Sequence, residues 1–553
     1  MSIRSIVATI SVLTLALVTP IDAQTPASVS PTDDPVLRRI WAIGMDSSRV
    51  EQLAGTLTDS IGPRLTGTPI LRNAQRWLVA MYKSWGIDAV NERYGTWRGW
   101  RRGTSHVDLL SPRTRTLEAT MLGFSPGTGN GPLVAEAIVL PHFQDSTEFV
   151  RWLPRARGKL VLVSAPGVTC RPTSDFAQFA TPEVRERIDS VRAARAREWA
   201  NPDVRGTGYS LGIGSGELGM RLEKAGVAAV LTTRARDAYG TRDIYDSWNT
   251  RAPALSLSCE DYGLVYRLAE RGARPRLRLA LDAQFLGEQP VFNTIASIPG
   301  VRTPAEYVFL SAHFDSWDTG SGATDNAAGS VIMLEAMRIL KQAYPRPKRT
   351  IRVGHWTGEE NGLVGSKAYR EDHPDVAEAI HAFFNHDNGT GRMNRMSVLG
   401  FPDGDVHARA WHGRLPEAFR TQVTYAGLIA PGRGGTDDFS FYCAGVPAFA
   451  LGGPGWNYSP YTWHTQRDTY DKLVLDDLKA NATLIAMFAY LASEDSVKIR
   501  RDRVDLATVA DSIIRARALN PPPAGAAPPA PPLTQWPSCG APAMRRTQPN
   551  RIR

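Results

Sequence analysis

Residues 307–340 read YVFLSAHFDSWDTGSGATDNAAGSVIMLEAMRIL. The stretch opens as a short apolar run, Tyr307 to Leu310, and closes as an apolar helical pattern, Val331 to Leu340. Between the two stand His313, Asp315, Asp318 and Asp325 in a glycine-rich turn. A strand, a turn and a helix in that order are the first half of an α/β unit. Burying so much negative charge between apolar segments is costly unless a cation offsets it. The stretch therefore predicts a strand ending near His313 and a charged site just beyond that end.

The same alternation extends outward from Phe292 to about Ser496. EYVFLSAHFDS, RTIRVGHWTGEEN, VAEAIHAFFNHDNG and GVPAFALGG carry strands, while NAAGSVIMLEAMRILKQ and LDDLKANATLIAMFAYLAS read as helices. The expected fold class is α/β, with a mixed, mainly parallel sheet flanked by helices. In open sheets of this kind ligands sit beyond the carboxyl ends of the strands. His313 ends one strand, Glu359 and Glu360 follow a second, Asp387 follows a third, and His464 lies in the loop YTWHTQRDT after a fourth. Side chains more than a hundred positions apart are thus expected at one sheet edge.

Two histidines with aspartates and glutamates form a nitrogen and oxygen donor set that suits zinc, and cobalt or manganese less well. Two Zn²⁺ per chain are expected, roughly 3.5–4 Å apart, with one aspartate of the turn bridging them. Spacing alone does not choose among Asp315, Asp318 and Asp325 for that bridge. His313 and Asp387 would then serve one ion, and Glu360 and His464 the other. Glu359 is left over as the natural general base. Asp315, two residues past His313, is placed to hold the far nitrogen of that imidazole. His355 reads as packing within a strand, and His386 should point away from Asp387 on its strand. His373, His381, His407 and His412 read as surface residues.

The chain has 553 residues, 42% hydrophobic and 22% charged, with net charge +9 and pI near 9.4. Its arginines are scattered, which argues against a nucleic-acid partner. Residues 1–23 have the layout of a secretory signal peptide: Arg4, an apolar stretch from Ile6 to Val18, and Ala23 before a cut. Export and a secreted or periplasmic location are expected, with no stable membrane span, because the apolar run falls short of the ~20 residues that a spanning helix needs. An exported chain can oxidise its cysteines. Of Cys170, Cys259, Cys443 and Cys539, the first two fall in one section and are the expected pair, isolated buried thiols being the alternative. Residues 516–553 include LNPPPAGAAPPAPPLTQW and are expected to be a Pro-rich disordered tail.

The phrases HFDSWDTGSGATDNAAG, WTGEENGLVGS, NHDNG, GTDDFSFYCAGVPAFAL and WHTQRDT, in that order, resemble the M28 family of di-zinc exopeptidases. SWDTGSGATD and RPKRTIRVGHWTGEE resemble its carboxypeptidase Q subgroup. The resemblance covers most of Phe292 to Ser496 and, more loosely, IGPRLTGTP near the start. It implies His313, Asp325, Glu360, Asp387 and His464 as metal ligands and Glu359 as base, and so selects Asp325 for the bridge. Some relatives place a tyrosine directly before the last histidine to support the oxyanion; here Trp463 stands there, leaving Tyr458 or Tyr461 for that task. Residues 131–286, with RGKLVLVS, LEKAGVAAVLTTR and PALSLS, resemble an inserted β-rich protease-associated domain that would wall the cleft. On that reading 34–130 is the N-terminal part of the peptidase domain and 287–497 its catalytic part.

The implied activity is hydrolysis of terminal peptide bonds in short peptides, carboxypeptidase- or dipeptidase-like, with aminopeptidase as the alternative. Arg433, Asp437 and Asp438 in GRGGTDDFSF are candidates for meeting a substrate terminus. An arginine suits a carboxylate and acids suit an ammonium, so both ends stay open. A homodimer is the one assembly considered. Readings from other classes are a single-zinc acyl transferase like glutaminyl cyclase and a non-catalytic, receptor-like relative that would have lost ligands.

Overall fold

The computed structural model describes residues 32–199, 217–234, 236–519 and 530–546. The expected signal peptide lies outside the described residues. Fourteen strands are present among them: β1 Asp88–Ser111, β2 Arg115–Thr116, β3 Ala119–Met121, β4 Leu133–Val139, β5 Leu160–Leu162, β6 Ala229–Thr232, β7 Ala254–Leu257, β8 Arg276–Ile298, β9 Thr303–His313, β10 Arg349–Trp356, β11 Ile380–Asn385, β12 Arg395–Leu399, β13 Thr424–Ile429 and β14 Ala448–Gly452. They form one sheet in the order β13-β12-β14-β11-β9-β10-β8-β4-β5-β6-β7-β3, with β1 antiparallel to β8.

The centre of the larger unit is parallel: β14, β11, β9 and β10 run side by side in one direction. Every residue of β11, and the last six of β9, are buried, as expected of strands covered on both faces. The helices Ala328–Ala343 and Leu475–Glu494 pack against each other over this sheet, joined by Pro35–Trp41. Register fixes the site. His313 pairs with Trp356 and Ser311 with Asn385, so β9, β10 and β11 end at nearly one level. The turns that leave these three strands therefore emerge at the same edge.

The second unit has its own core and a parallel set β4-β5-β6-β7, closed by antiparallel β3. Cys170 and Cys259 are disulfide-bonded within it, the pair expected. Its core also draws on Val107, Leu109, Leu117 and Met121, ahead of the boundary expected at 131. The boundary expected at 286 falls inside β8. The cause is that β1 and β8 run as one long antiparallel ribbon through both units, so that no loop marks the boundary.

The tail is a correction. Residues 530–546, expected to be disordered, lie along the larger unit. Cys539 is bonded to Cys443. Trp536 packs on Phe401 and donates its indole N–H to the Val504 carbonyl at 3.0 Å. Further on, Arg545 pairs with Asp372 and accepts the Thr96 N–H on its carbonyl. A covalent tie and one anchored indole hold a segment whose composition alone could not build a core. His381, read as a surface residue, is fully buried and accepts the Ile499 N–H at 3.1 Å.

Candidate metal centre

Five expected donors converge at the sheet edge in two trios. His313 Nε2 lies 3.3 Å from Asp325 Oδ1 and 3.4 Å from Asp387 Oδ1. His464 Nε2 lies 3.3 Å from Asp325 Oδ2 and 3.0 Å from Glu360 Oε2. In each trio one donor atom per residue lies within 4.8 Å of the others. Asp325 belongs to both trios and turns one carboxylate oxygen to each. Asp318 does not join them; it pairs with Arg102 of β1.

The surroundings hold these side chains from behind. The His313 Nδ1–H donates to the Asp315 backbone carbonyl at 3.0 Å, so that nitrogen is fixed by the main chain, with the Asp315 carboxylate 3.6 Å away. That carboxylate instead accepts the Thr66 hydroxyl at 2.9 Å and the Glu359 N–H at 3.3 Å. Asp315 thus ties the His313 strand end to the loop that carries both glutamates. Asp468 is buried and accepts the Thr324 N–H (2.8 Å), the Thr324 hydroxyl (2.7 Å) and the Asp325 N–H (2.9 Å). It therefore fixes the loop of Asp325. Behind the strand, Tyr82 donates to His355 Nε2 (2.6 Å), His355 Nδ1 meets the Ser330 hydroxyl (3.3 Å), and Ser330 donates to the His313 carbonyl (2.8 Å).

The residues present fit divalent cations. His313 Nε2, Asp325 Oδ2, Glu360 Oε1 and Asp387 Oδ1 are buried and make no hydrogen bond among the described residues. Buried acceptors of this kind are normally satisfied. Burial, with repulsion from neighbouring carboxylates, drives Glu359 and Glu360 well above the usual carboxylate range despite the pull of His313. Burial lowers His313, but Asp387, Glu359 and the other acids around it outweigh that and raise it well above an ordinary imidazole. Burial takes His464 down to about 4. Such a cluster repels itself when only its own charges are counted, and a cation held within each trio would remove that conflict.

The expected substrate contacts are spread more widely. Tyr458 is half-buried against Gly389, two residues past Asp387. Tyr461 carries the Lys472 ammonium 5.9 Å over its ring. Asp437 is fully buried with both carboxylate oxygens lacking a hydrogen bond among the described residues, and burial raises it to about 8. Asp438 is raised to about 7 by burial. Arg433 is exposed and its guanidinium faces the Pro531 carbonyl of the tail at 3.5 Å. Asp437 is thus behind the surface that a substrate would touch.

Arg64 is the residue that sequence reading missed. It is fully buried and donates to four backbone carbonyls, Phe314 (2.8 Å), Gly62 (3.0 Å), Ser321 (2.7 Å) and Gly322 (3.0 Å). Its planar fork gathers both ends of the turn quoted at the outset. The signal was present in IGPRLTGTP, where an arginine interrupts a run of small residues.

Residues 293–489 match the family model of Peptidase family M28. Over 82% of its length the chain is 27% identical to carboxypeptidase Q of Mus musculus, covering 87% of that protein. The solved structure of a Peptidase M28 precursor from Shewanella amazonensis aligns with TM-score 0.61 at 25% identity, over 84% of this chain and 97% of that one. A zinc aminopeptidase from Bacillus subtilis aligns with TM-score 0.51 at 19% identity, over 82% of this chain and 98% of that one, a likeness of fold.

Proposed function

We propose that this chain, whose residues 293–489 match the model of Peptidase family M28, is an exported, zinc-dependent exopeptidase that trims short peptides in the manner of a carboxypeptidase or dipeptidase. The observation that carries the reading is the pair of donor trios sharing Asp325. His313, Asp387 and one oxygen of Asp325 would hold one zinc ion, and Glu360, His464 and the other oxygen a second. Bound there, zinc supplies Lewis-acid polarisation of a carbonyl and eases ionisation of water.

The chain's own residues then do the rest. Glu359, half-buried beside the trios, takes a proton from the attacking water and returns it to the leaving amine. Asp315 and Thr66 fix its backbone: Asp315 accepts the Glu359 N–H, and Thr66 accepts the Gly358 N–H at 3.1 Å. Tyr458, which packs on Gly389 two residues past Asp387, is assigned to the developing oxyanion. The second unit is read as a protease-associated insertion that limits access to short chains. The carboxypeptidase reading leads because the likeness to carboxypeptidase Q is higher in identity than that to the solved zinc aminopeptidase. A one-zinc acyl transferase would not need the second trio, and a non-catalytic relative would not need all five donors.

Glu359→Gln should keep its zinc and lose about 10²–10⁴-fold in kcat, the usual worth of a general base. Dipeptides blocked at one end decide polarity: a C-terminal block that abolishes hydrolysis supports the carboxypeptidase reading, and an N-terminal block that does so moves it to aminopeptidase. Cleavage of peptides blocked at both ends, at rates equal to free ones, would remove the exopeptidase assignment.

A further inference from the structure

The second unit does more than stand beside the cleft. Its segment 236–248 grips the loop 458–468, which carries His464. The Ile244 N–H donates to the His464 carbonyl at 2.8 Å. Asp243 and Thr465 form a β-bridge, and Gln466 exchanges hydrogen bonds with the Arg242 N–H (2.6 Å) and the Gly240 carbonyl (2.7 Å). The Tyr245 ring stands edge-on to the His464 ring, centroids 5.2 Å apart. Within this grip Arg236 is the hub. Its side chain is 5% exposed and paired with buried Asp243. It donates to the Ser459 carbonyl (2.7 Å) and the Trp463 carbonyl (3.1 Å). Its guanidinium also lies 5.3 Å from the Trp463 ring, which stacks on His464 at 3.9 Å.

His464 needs such support. Its φ is +55°, a left-handed conformation that costs a side-chain-bearing residue energy and persists only where its surroundings impose it. Two carbonyl anchors fix the backbone before His464, and the Arg236–Trp463–His464 stack fixes the ring plane. We propose that Arg236 is a positioning residue for the reaction: acting from the second unit, it sets the His464 imidazole in the geometry needed to bind its zinc ion. This rests on His464 being a zinc ligand, as proposed above. The insertion is then part of the site's construction, and it cannot be cut out without losing one trio.

The test compares Arg236→Ala, Arg236→Lys and Asp243→Asn with Arg274→Ala, a surface control in the same unit whose exposed side chain pairs with Glu136. Zinc affinity of the metal-stripped chain is measured by competition with a chromophoric chelator, alongside kcat, KM and urea unfolding. Arg236→Ala should bind its weaker zinc about 10–100-fold less tightly and lose kcat by a similar factor, with KM little changed. Arg236→Lys should recover only part, because a compact ammonium lacks the planar fork whose three nitrogens reach Asp243 and two separate carbonyls. Asp243→Asn should shift zinc affinity the same way by less, and it answers the question if Arg236→Ala does not fold. Zinc affinity in Arg236→Ala equal to that of Arg274→Ala would overturn the proposal, as would a loss confined to unfolding stability. Turnover surviving in Glu359→Gln would instead count against the exopeptidase mechanism, leaving the zinc-affinity comparison intact.

Discussion

At the scale of single residues, the two oxygens of Asp325 give the sharpest expectation. Because each faces a different histidine, the two-zinc proposal expects Asp325→Ala to lose bound metal and activity together. Metal analysis after dialysis checks this, and full occupancy in that variant would contradict the bridge. Arg64 sets a second expectation of a different kind. It joins carbonyls from both ends of one turn, so Arg64→Met should destabilise by at least ~3 kcal/mol in urea unfolding, since buried acceptors left unmade cost about 1–3 kcal/mol each. The convergence of His313, Glu360, Asp387 and His464 was legible because strand ends carry a rule about where ligands sit, whereas Asp325 was picked out from its turn only by the family resemblance. Arg64 and Asp468 were not, because they act by hydrogen bonds to backbone groups far away in sequence. No periodicity or spacing marks such a partner.

At the scale of elements, the strands of the larger unit were readable from their apolar runs, and parallel register then brought His313, Glu359 and Asp387 level. The turn between β9 and the helix Ala328–Ala343 was not readable. Its shape is set by Arg64 on one side and Asp468 on the other, not by its glycines alone. Asp468→Ala should therefore release the Thr324 and Asp325 N–H groups and cost about 2–3 kcal/mol, with weaker zinc binding as well. Retained zinc affinity in that variant would mean that the turn holds its shape unaided. The ribbon of β1 and β8 escaped sequence reading for another reason. Strands of 24 and 23 residues exceed the usual length, and polar residues are interspersed along both where they pass between units.

For the whole molecule, the buried histidines predict acid sensitivity. His355 is fully buried and neutral, and burial lowers it to about 3. An unfolded histidine titrates near 6.5. Between about pH 6.5 and 3 the unfolded chain therefore binds a proton that the folded chain does not, so stability falls as pH falls through that window, by at most about 1.4 kcal/mol per pH unit for one group. His355→Gln should flatten the slope of unfolding free energy against pH between 6.5 and 5; an unchanged slope would place the sensitivity elsewhere. The fastening of the tail has a consequence for fragments. Since Cys443 and Cys539 are bonded, residues 443–539 form a covalent ring that includes His464 and the helix Leu475–Glu494. One protease nick anywhere on that ring leaves both pieces in a single molecule, migrating as intact protein until a reductant is added. A preparation judged whole on a non-reducing gel can thus be cut beside its last proposed zinc ligand.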